Sequence, residues 1–122
     1  MFTPFAQETL NYFIAQSEKS KKAKGIVSAV KQKLEFLRND PYYGHPIKKN
    51  MIPMFYRNKY DIKNLFWIEL PLFWRMLYTL KNDEQEIEII ALIMEIVDHP
   101  TYDKRFGYRK KWLYSLEWTD DY

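Results

Sequence analysis

Residues 64–100 read NLFWIELPLFWRMLYTLKNDEQEIEIIALIMEIVDHP, and their pattern predicts a sheet. Leu65–Leu70 and Phe73–Leu80 are short segments rich in aromatic and large aliphatic residues, and a proline separates them. The polar residues 81–85 predict a turn that leads into Glu86–Val97, whose isoleucines predict a central strand buried on both faces. Three strands in sequence, joined by tight turns, indicate an antiparallel meander.

The chain before this region predicts two helices. Thr3-Pro4 is a typical helix start, because a hydroxyl side chain caps the helix and proline fits its first position. Two apolar stripes at helical spacing follow, and their main residues are Phe5, Leu10, Phe13, Val30, Leu34 and Leu37. The residue before Pro41 avoids helical backbone, which ends the second stripe. Residues 3–39 are therefore predicted to form a helical hairpin, or one long helix with a weak point near Gly25.

Helices first and strands second indicate an α+β fold, with an N-terminal helical hairpin packed on one face of a small antiparallel sheet. Between the two parts, PYYGHP at 41–46 predicts a turn and Met51–Tyr56 predicts one short helix. Tyr102–Arg109 fits a helical turn or a loop, and Trp112–Trp118 fits a further strand. Because no linker or repeat interrupts the pattern, residues 1–122 are expected to form a single domain.

The composition limits the kinds of function. The chain has no cysteine, which excludes disulfides, thiolate metal sites and thiol catalysis. Its two histidines lack HExxH spacing and its three glycines form no phosphate-binding loop, so we expect no metal and no cofactor. No signal peptide and no membrane span of roughly 20 residues is evident, so we expect a cytoplasmic protein. Three acids could pair for acid–base chemistry, but solvation at strand edges is the expected role because exposed acids are the rule: Glu86, Glu88 and Glu95.

A net charge of +3 and a pI near 9.0 favour anionic partners, though only mildly. Aromatic and basic residues interleave in YRNKY (56–60) and YDKRFGYRKKW (102–112). Such mixing suits single-stranded RNA, where rings stack on bases and cations contact phosphates. A solubilising surface around an aromatic core is the simpler interpretation, and composition alone favours it. The candidate RNA-binding residues are Arg57, Lys59, Lys63, Lys104, Arg105, Tyr108 and Arg109.

Arg75 and His99 are the most informative polar residues near the predicted strands. Arg75 interrupts a strand of large apolar residues, and arginine is rarely buried without a partner. It either extends its charged end to solvent or pairs with an acid such as Glu69 across the hairpin, or it points into a functional groove, and the sequence leaves these alternatives open. His99 directly follows the isoleucine-rich strand, where loops often carry sites, and histidine exchanges protons near neutral pH. A hydrogen-bonded loop histidine is the alternative.

Three pieces of the chain together resemble toxins of the RelE/ParE superfamily, especially RelE-like and YoeB-like toxins. They are the block NL…LP..WR.LYT (64–79), the polar turn into an aliphatic strand, and the strand exit DH..YDKRFGY (98–108). NDPYYGHPIKK (39–49) resembles the end of the family's helix pair and the turn after it. The resemblance implies a small antiparallel sheet with two helices. It also implies ribosome-dependent, metal-independent cleavage of mRNA, in which the RNA's own 2′-hydroxyl attacks the adjacent phosphate.

The resemblance also implies residue roles. Arg75 matches the middle-strand arginine that contacts the scissile phosphate in the family. His99 and Tyr102 resemble the C-terminal His/Tyr pair of YoeB-like toxins, where the two residues adjoin, whereas Pro100 and Thr101 intervene here. We expect Arg75, His99 and Tyr102 to lie together on one concave face, because Arg75 is mid-strand and the other two follow the next strand.

The partners implied by the resemblance are a cognate antitoxin protein, the ribosome and mRNA, with no membrane. A homodimer is left open, since a second copy would cover the helical stripes if they were exposed. Two other functions also stay open: ParE-like, non-enzymatic inhibition of DNA gyrase, and a repurposed RNA- or protein-binding module. A groove that collects the three catalytic candidates favours the nuclease, and a groove without acid–base groups favours the others. Residues 110–122 have no counterpart in the resemblance.

Overall fold

The computed structural model describes residues 2–82 and 89–106. These residues form a four-stranded sheet with helices packed on both of its faces. The helices are α1 (Pro4–Gln16), α2 (Lys21–Asn39), α3 (Met54–Tyr60) and α4 (His99–Phe106). The strands are β1 (His45–Pro46), β2 (Phe66–Leu70), β3 (Trp74–Asn82) and β4 (Ile89–Asp98). They lie in the order β1-β2-β3-β4, and each neighbouring pair is antiparallel. The predicted α+β class, with an N-terminal helical hairpin on an antiparallel sheet, is confirmed.

The helical hairpin turns earlier than the sequence pattern suggests. The Thr3 hydroxyl accepts a hydrogen bond from the backbone N–H of Ala6 and so caps α1, as predicted. The turn covers residues 17–20, and the Ser20 hydroxyl caps α2. Gly25 lies inside α2, so the predicted weak point there is wrong. A good cap contributes about 1 kcal/mol, which offsets the similar cost of a glycine in a helix interior, so α2 can begin at the Ser20 cap and continue through Gly25.

The hairpin covers one face of the sheet, which we call the hairpin face. Five of the six predicted stripe residues pack there, namely the buried Phe13, Val30 and Leu37 and the partly buried Leu10 and Leu34. Each large apolar side chain that is fully buried contributes about 1.5–3 kcal/mol. These contacts join both helices to the sheet through one continuous core.

Phe5 departs from the predicted stripe. Its side chain is 43% exposed, and the Nζ of Lys59 lies 3.6 Å from its ring centroid. Ala6 and Phe13 are the buried residues of α1, and they lie seven residues apart, which is two helical turns. Phe5 precedes the buried Ala6 by one residue, so the helix turn between them directs its side chain away from the core. Its predicted burial is wrong.

Helices α3 and α4 cover the opposite face of the sheet, which we call the far face. The core there joins Leu77 of β3 and Val97 of β4 to Tyr56 of α3 and Tyr102 of α4. The short helix predicted at Met51–Tyr56 is α3, which begins three residues later than predicted, at Met54. Pro53 is the residue directly before its first turn. Of the two alternatives for the region after β4, the helix is the one observed. The predicted strand at Trp112–Trp118 lies outside the described residues.

β4 is buried on both faces, and it is the last strand of the sheet within residues 2–82 and 89–106. Ile93 and Ile96 pack on the hairpin face, whereas Val97 packs on the far face. Among the described residues its outer edge meets only an isolated bridge to Phe2, and β3 lies between β2 and β4. Helices on both faces bury β4 as completely as the prediction expects of a central strand.

The side chain of Asn64, just before β2, forms hydrogen bonds to the backbone of β3. Its Oδ1 accepts a hydrogen bond from the Leu80 N–H at 2.7 Å, and its Nδ2 donates to the Leu80 carbonyl at 3.0 Å. The Thr79 hydroxyl lies 2.8 Å from the Asn64 carbonyl oxygen. The Asn64 side-chain amide thus takes the place of one backbone hydrogen-bonded pair between β2 and β3. Asn64 and Thr79 of the NL…LYT block therefore have a structural role.

Tyr78 connects the hairpin-face core to the segment after α2. Its hydroxyl donates to the Pro41 carbonyl at 2.9 Å and accepts from the Gly44 N–H at 2.8 Å. Desolvation by burial raises the pKa of Tyr78 to about 12, against the opposing effect of the Gly44 hydrogen bond. A Cβ at Gly44 would lie 2.7 Å from that hydroxyl and 3.0 Å from the Trp67 carbonyl oxygen. Only glycine allows this close approach.

Two glycine-to-alanine substitutions should therefore change stability in opposite directions. Gly44→Ala should lower the free energy of unfolding by about 1–3 kcal/mol, because the new methyl group meets Tyr78 and backbone. Gly25→Ala should raise it by about 0.5–1 kcal/mol, since nothing lies within 4 Å of the added Cβ and alanine favours the helix. Urea unfolding of both variants at neutral pH measures the difference. Equal stability of Gly44→Ala and the unchanged protein would contradict the Tyr78 contact.

Candidate functional site

Strand alternation decides the direction of Arg75. Trp74 and Met76 belong to the core of the hairpin face. Because successive side chains of a strand point to opposite faces, Arg75 points to the far face. Its partners in the strand register are Glu69 of β2 and Val97 of β4.

The guanidinium of Arg75 lies between two aromatic rings. Its Cζ is 3.7 Å from the ring centroid of Trp67 and 4.4 Å from that of Tyr102. Arg75 and Tyr102 are each only 4% exposed. A cation over an aromatic face contributes about 2 kcal/mol or more where water is excluded. The guanidinium is thus buried against two rings, one from β2 and one from α4.

The stacking continues on both sides of the cation. The rings of His45 and Trp67 lie 4.3 Å apart at an interplanar angle of 27°. The rings of Tyr102 and Phe106 lie 4.3 Å apart at 20°. We call the resulting row His45–Trp67–Arg75–Tyr102–Phe106 the far-face stack. It takes one residue from each of β1, β2 and β3 and two from α4, so it joins segments that are distant in sequence.

A buried acid lies beside the stack on the same face. Glu95 is 6% exposed and accepts a hydrogen bond from the Tyr56 hydroxyl at 2.5 Å. It is the strand partner of Leu77, which belongs to the far-face core. The prediction that Glu95 is solvated at a strand edge is therefore wrong, because α3 covers it and supplies a donor. Glu86 and Glu88 lie outside the described residues.

Two of the three catalytic candidates contact each other. Arg75 and Tyr102 meet in the far-face stack, whereas the side chain of His99 lies outside the described part of the chain. The backbone of His99 begins α4, and the Asp98 carboxylate caps that helix by accepting from the Thr101 N–H at 3.0 Å. Positions 99 and 102 are thus one helical turn apart, which makes them neighbours on the helix surface despite the two intervening residues.

The candidate RNA-binding residues that the structure describes lie on α3, on α4 and just after α3. The Arg57 guanidinium donates to the Lys49 carbonyl, and Lys59 lies over the Phe5 ring. Lys63 and Lys104 are exposed. The side chain of Arg105, and the whole of Tyr108 and Arg109, lie outside the described residues.

Sequence reasoning missed Trp67, His45 and Phe106 as members of the site. A signal for Trp67 was present, because Phe66, Ile68 and Leu70 alternate with it and mark the opposite face. His45 and Phe106 carry no such signal, since their positions depend on how β1 and α4 pack in three dimensions.

Neither a metal site nor a membrane span is found in the described structure. Within residues 2–82 and 89–106, no three His, Cys, Asp or Glu side chains come together in a way that could hold a metal ion. The same ranges contain no helix that is both long and apolar enough to cross a bilayer. No protein-family model matches the chain, and no curated protein or solved structure matches it either. Geometry therefore carries the functional argument.

Substitutions at Trp67 should separate the effect of an aromatic face from that of bulk. Trp67→Phe keeps a ring against Arg75, whereas Trp67→Leu keeps only an apolar side chain. Leucine should lower the free energy of unfolding by about 1–2 kcal/mol more than phenylalanine does, because only the ring attracts the cation. Urea unfolding of both variants tests this, with Arg75→Met as the background in which the difference should shrink. An undiminished difference in that background would argue against the cation–ring contact.

Proposed function

We propose that this chain is a RelE/ParE-type toxin that cleaves ribosome-bound mRNA in the cytoplasm and is neutralised by a cognate antitoxin. The observation that carries the proposal is the contact between Arg75 of β3 and Tyr102 of α4 on the far face. The resemblance in sequence assigns both residues to an RNA-cleaving site, and they contact each other although one precedes β4 in the chain and the other follows it.

Cleavage through the RNA's 2′-hydroxyl needs three kinds of group. A base takes the 2′ proton, a cation stabilises charge on the phosphate, and an acid protonates the leaving 5′-oxygen. In the proposal Arg75 is the cation, and His99 and Tyr102 transfer the protons. None of these roles requires a metal ion or another cofactor.

Basic side chains around the far face support RNA as the substrate. Lys63 and Lys104 are exposed, and α3 contributes Arg57 and Lys59. Lysine and arginine on such a surface contact phosphates and release bound counterions, whatever the sequence of the RNA. Binding should therefore weaken as the salt concentration rises.

A second candidate is a non-enzymatic binding module, either a ParE-like inhibitor of DNA gyrase or a repurposed RNA- or protein-binding domain. The burial of Arg75 and Tyr102, each 4% exposed, favours this candidate. Glu95, an acid on the same face of the sheet, is also buried and accepts a hydrogen bond from the Tyr56 hydroxyl. The two candidates differ in whether chemistry occurs on RNA.

Arg75→Met is the sharpest test of the proposed mechanism. Methionine is long and apolar enough to stay between the two rings, but it removes the cation. If Arg75 stabilises charge on the phosphate, cleavage should fall by about 10²–10³-fold while the variant remains folded. Cleavage sites are mapped on mRNA bound to ribosomes of the host, and thermal unfolding is measured in parallel. Lys81→Met is the matched control, since Lys81 is an exposed cation on the same strand.

The outcomes separate the two candidates. A folded Arg75→Met protein that cleaves like the unchanged chain would remove Arg75 from the mechanism. No cleavage by the unchanged chain on host ribosomes would favour the binding module. If methionine lowers the melting temperature strongly, Arg75→Lys distinguishes the effects, because it keeps the charge but loses the planar guanidinium.

A further inference from the structure

We propose that the exposed face of the His45 ring is a stacking platform for one base of a single-stranded RNA. The inference rests on the proposed function for the choice of RNA as ligand. It concerns a residue to which that function assigns no role, and it locates where the RNA strand lies next to the site.

The His45 ring is held by the sheet. His45 pairs with Trp67 in the β1–β2 register, and the two rings stack at 4.3 Å. One face of the imidazole is thus covered by Trp67. His45 is nevertheless exposed, and within the described structure its only ring contact is with Trp67. The other face is therefore open to an aromatic ligand.

The far-face stack makes the platform rigid before a ligand arrives. The Trp67 ring stacks against the Arg75 guanidinium, which in turn stacks against the Tyr102 ring. A ring that is already ordered loses little conformational entropy when it binds, so more of the stacking energy appears as affinity. A base on His45 would extend the row by one planar group.

The charges around His45 favour a polyanion. Residues 41–60 contain four lysines and arginines and no aspartate or glutamate. Lys48 and Lys49 follow His45 within four residues, which is at most about 14 Å of chain, and both are exposed. The Arg57 guanidinium contacts the Lys49 carbonyl and adds a third cation to this segment. Segment 41–60 thus combines an exposed ring with several cations and has no acid of its own, which is the kind of surface that single-stranded nucleic acids use.

An aromatic side chain of a protein could stack on the same ring, but the charges argue against it. Protein surfaces mix both signs of charge, whereas a nucleic-acid strand supplies a negative charge at every nucleotide. A duplex is also disfavoured, because its bases are stacked on one another and offer no free face. Single-stranded RNA is the ligand that fits both the open ring and the basic segment.

The test uses the full chain and a short single-stranded RNA with 2′-O-methyl groups, which block cleavage, and one 2-aminopurine base. Stacking of 2-aminopurine on a ring quenches its fluorescence. His45→Leu, which still covers Trp67 but offers no planar face, should weaken binding by about tenfold and remove the quenching. His45→Phe should bind within about twofold of the unchanged protein, because it restores the ring. Tyr12→Leu is the control, since Tyr12 is an exposed aromatic on α1.

Circular dichroism and thermal unfolding establish that each variant is folded, which is expected because His45 is exposed. Binding and quenching by His45→Leu equal to those of the unchanged protein would overturn the platform. Equal losses of RNA affinity in His45→Leu and His45→Phe would also overturn it. So would an affinity of the unchanged protein for a duplex of the same charge that equals its affinity for the single strand. Ribosomal cleavage by the unchanged chain, combined with any of these results, would leave the proposed nuclease standing and remove only the platform. His45-dependent quenching without cleavage would support the platform and remove the nuclease.

Discussion

The far face of this protein depends on how one charged group is accommodated. The Arg75 guanidinium is nearly inaccessible to water, and it lies between the faces of Trp67 and Tyr102. An isolated charge in an apolar interior is strongly unfavourable, so the surrounding groups must interact with it favourably. Aromatic faces do this while also packing as apolar surface. The position of α4 follows, because Tyr102 covers the cation only if that helix lies across β3 and β4.

The two faces of the sheet are coupled through the segment that leads into β1. Gly44 donates a hydrogen bond to Tyr78, whose ring belongs to the hairpin-face core. The next residue, His45, stacks on Trp67 on the far face. Two adjacent residues thus contact opposite layers, Gly44 through its backbone N–H and His45 through its ring. Any change that displaces Gly44 from Tyr78 should therefore also disturb the end of the far-face stack.

The sequence predicts the order of elements well, because periodicity reports which side of each element is apolar. The hairpin, the two strands that flank Pro71, and the α+β class all follow from it. It misplaces the break near Gly25, since the hydroxyl cap at Ser20 offsets the low helix propensity of glycine. It correctly predicts that β4 is buried on both faces, because helices cover the sheet on both sides.

The candidate site is less predictable than the fold. The sequence identifies Arg75 and Tyr102, but it does not reveal that the two are buried against each other. That outcome depends on the β2–β3 register, which brings Trp67 next to Arg75, and on the packing of α4. The burial of Glu95 is equally hard to predict, because it depends on the position of α3, whose Tyr56 hydroxyl donates a hydrogen bond to Glu95. Contacts between distant segments decide both residues, and local patterns do not encode such contacts.

The most direct measurement is the NMR spectrum of the Arg75 side chain. Rings above and below the guanidinium shield its nearby protons, so the Hδ and Hε resonances of Arg75 should lie upfield of those of the exposed Arg38. The upfield shift should shrink when Trp67 is replaced by leucine. Arg75 resonances at the positions of a solvent-exposed arginine, unchanged by Trp67→Leu, would contradict the stacked cation on which the account of the far face depends.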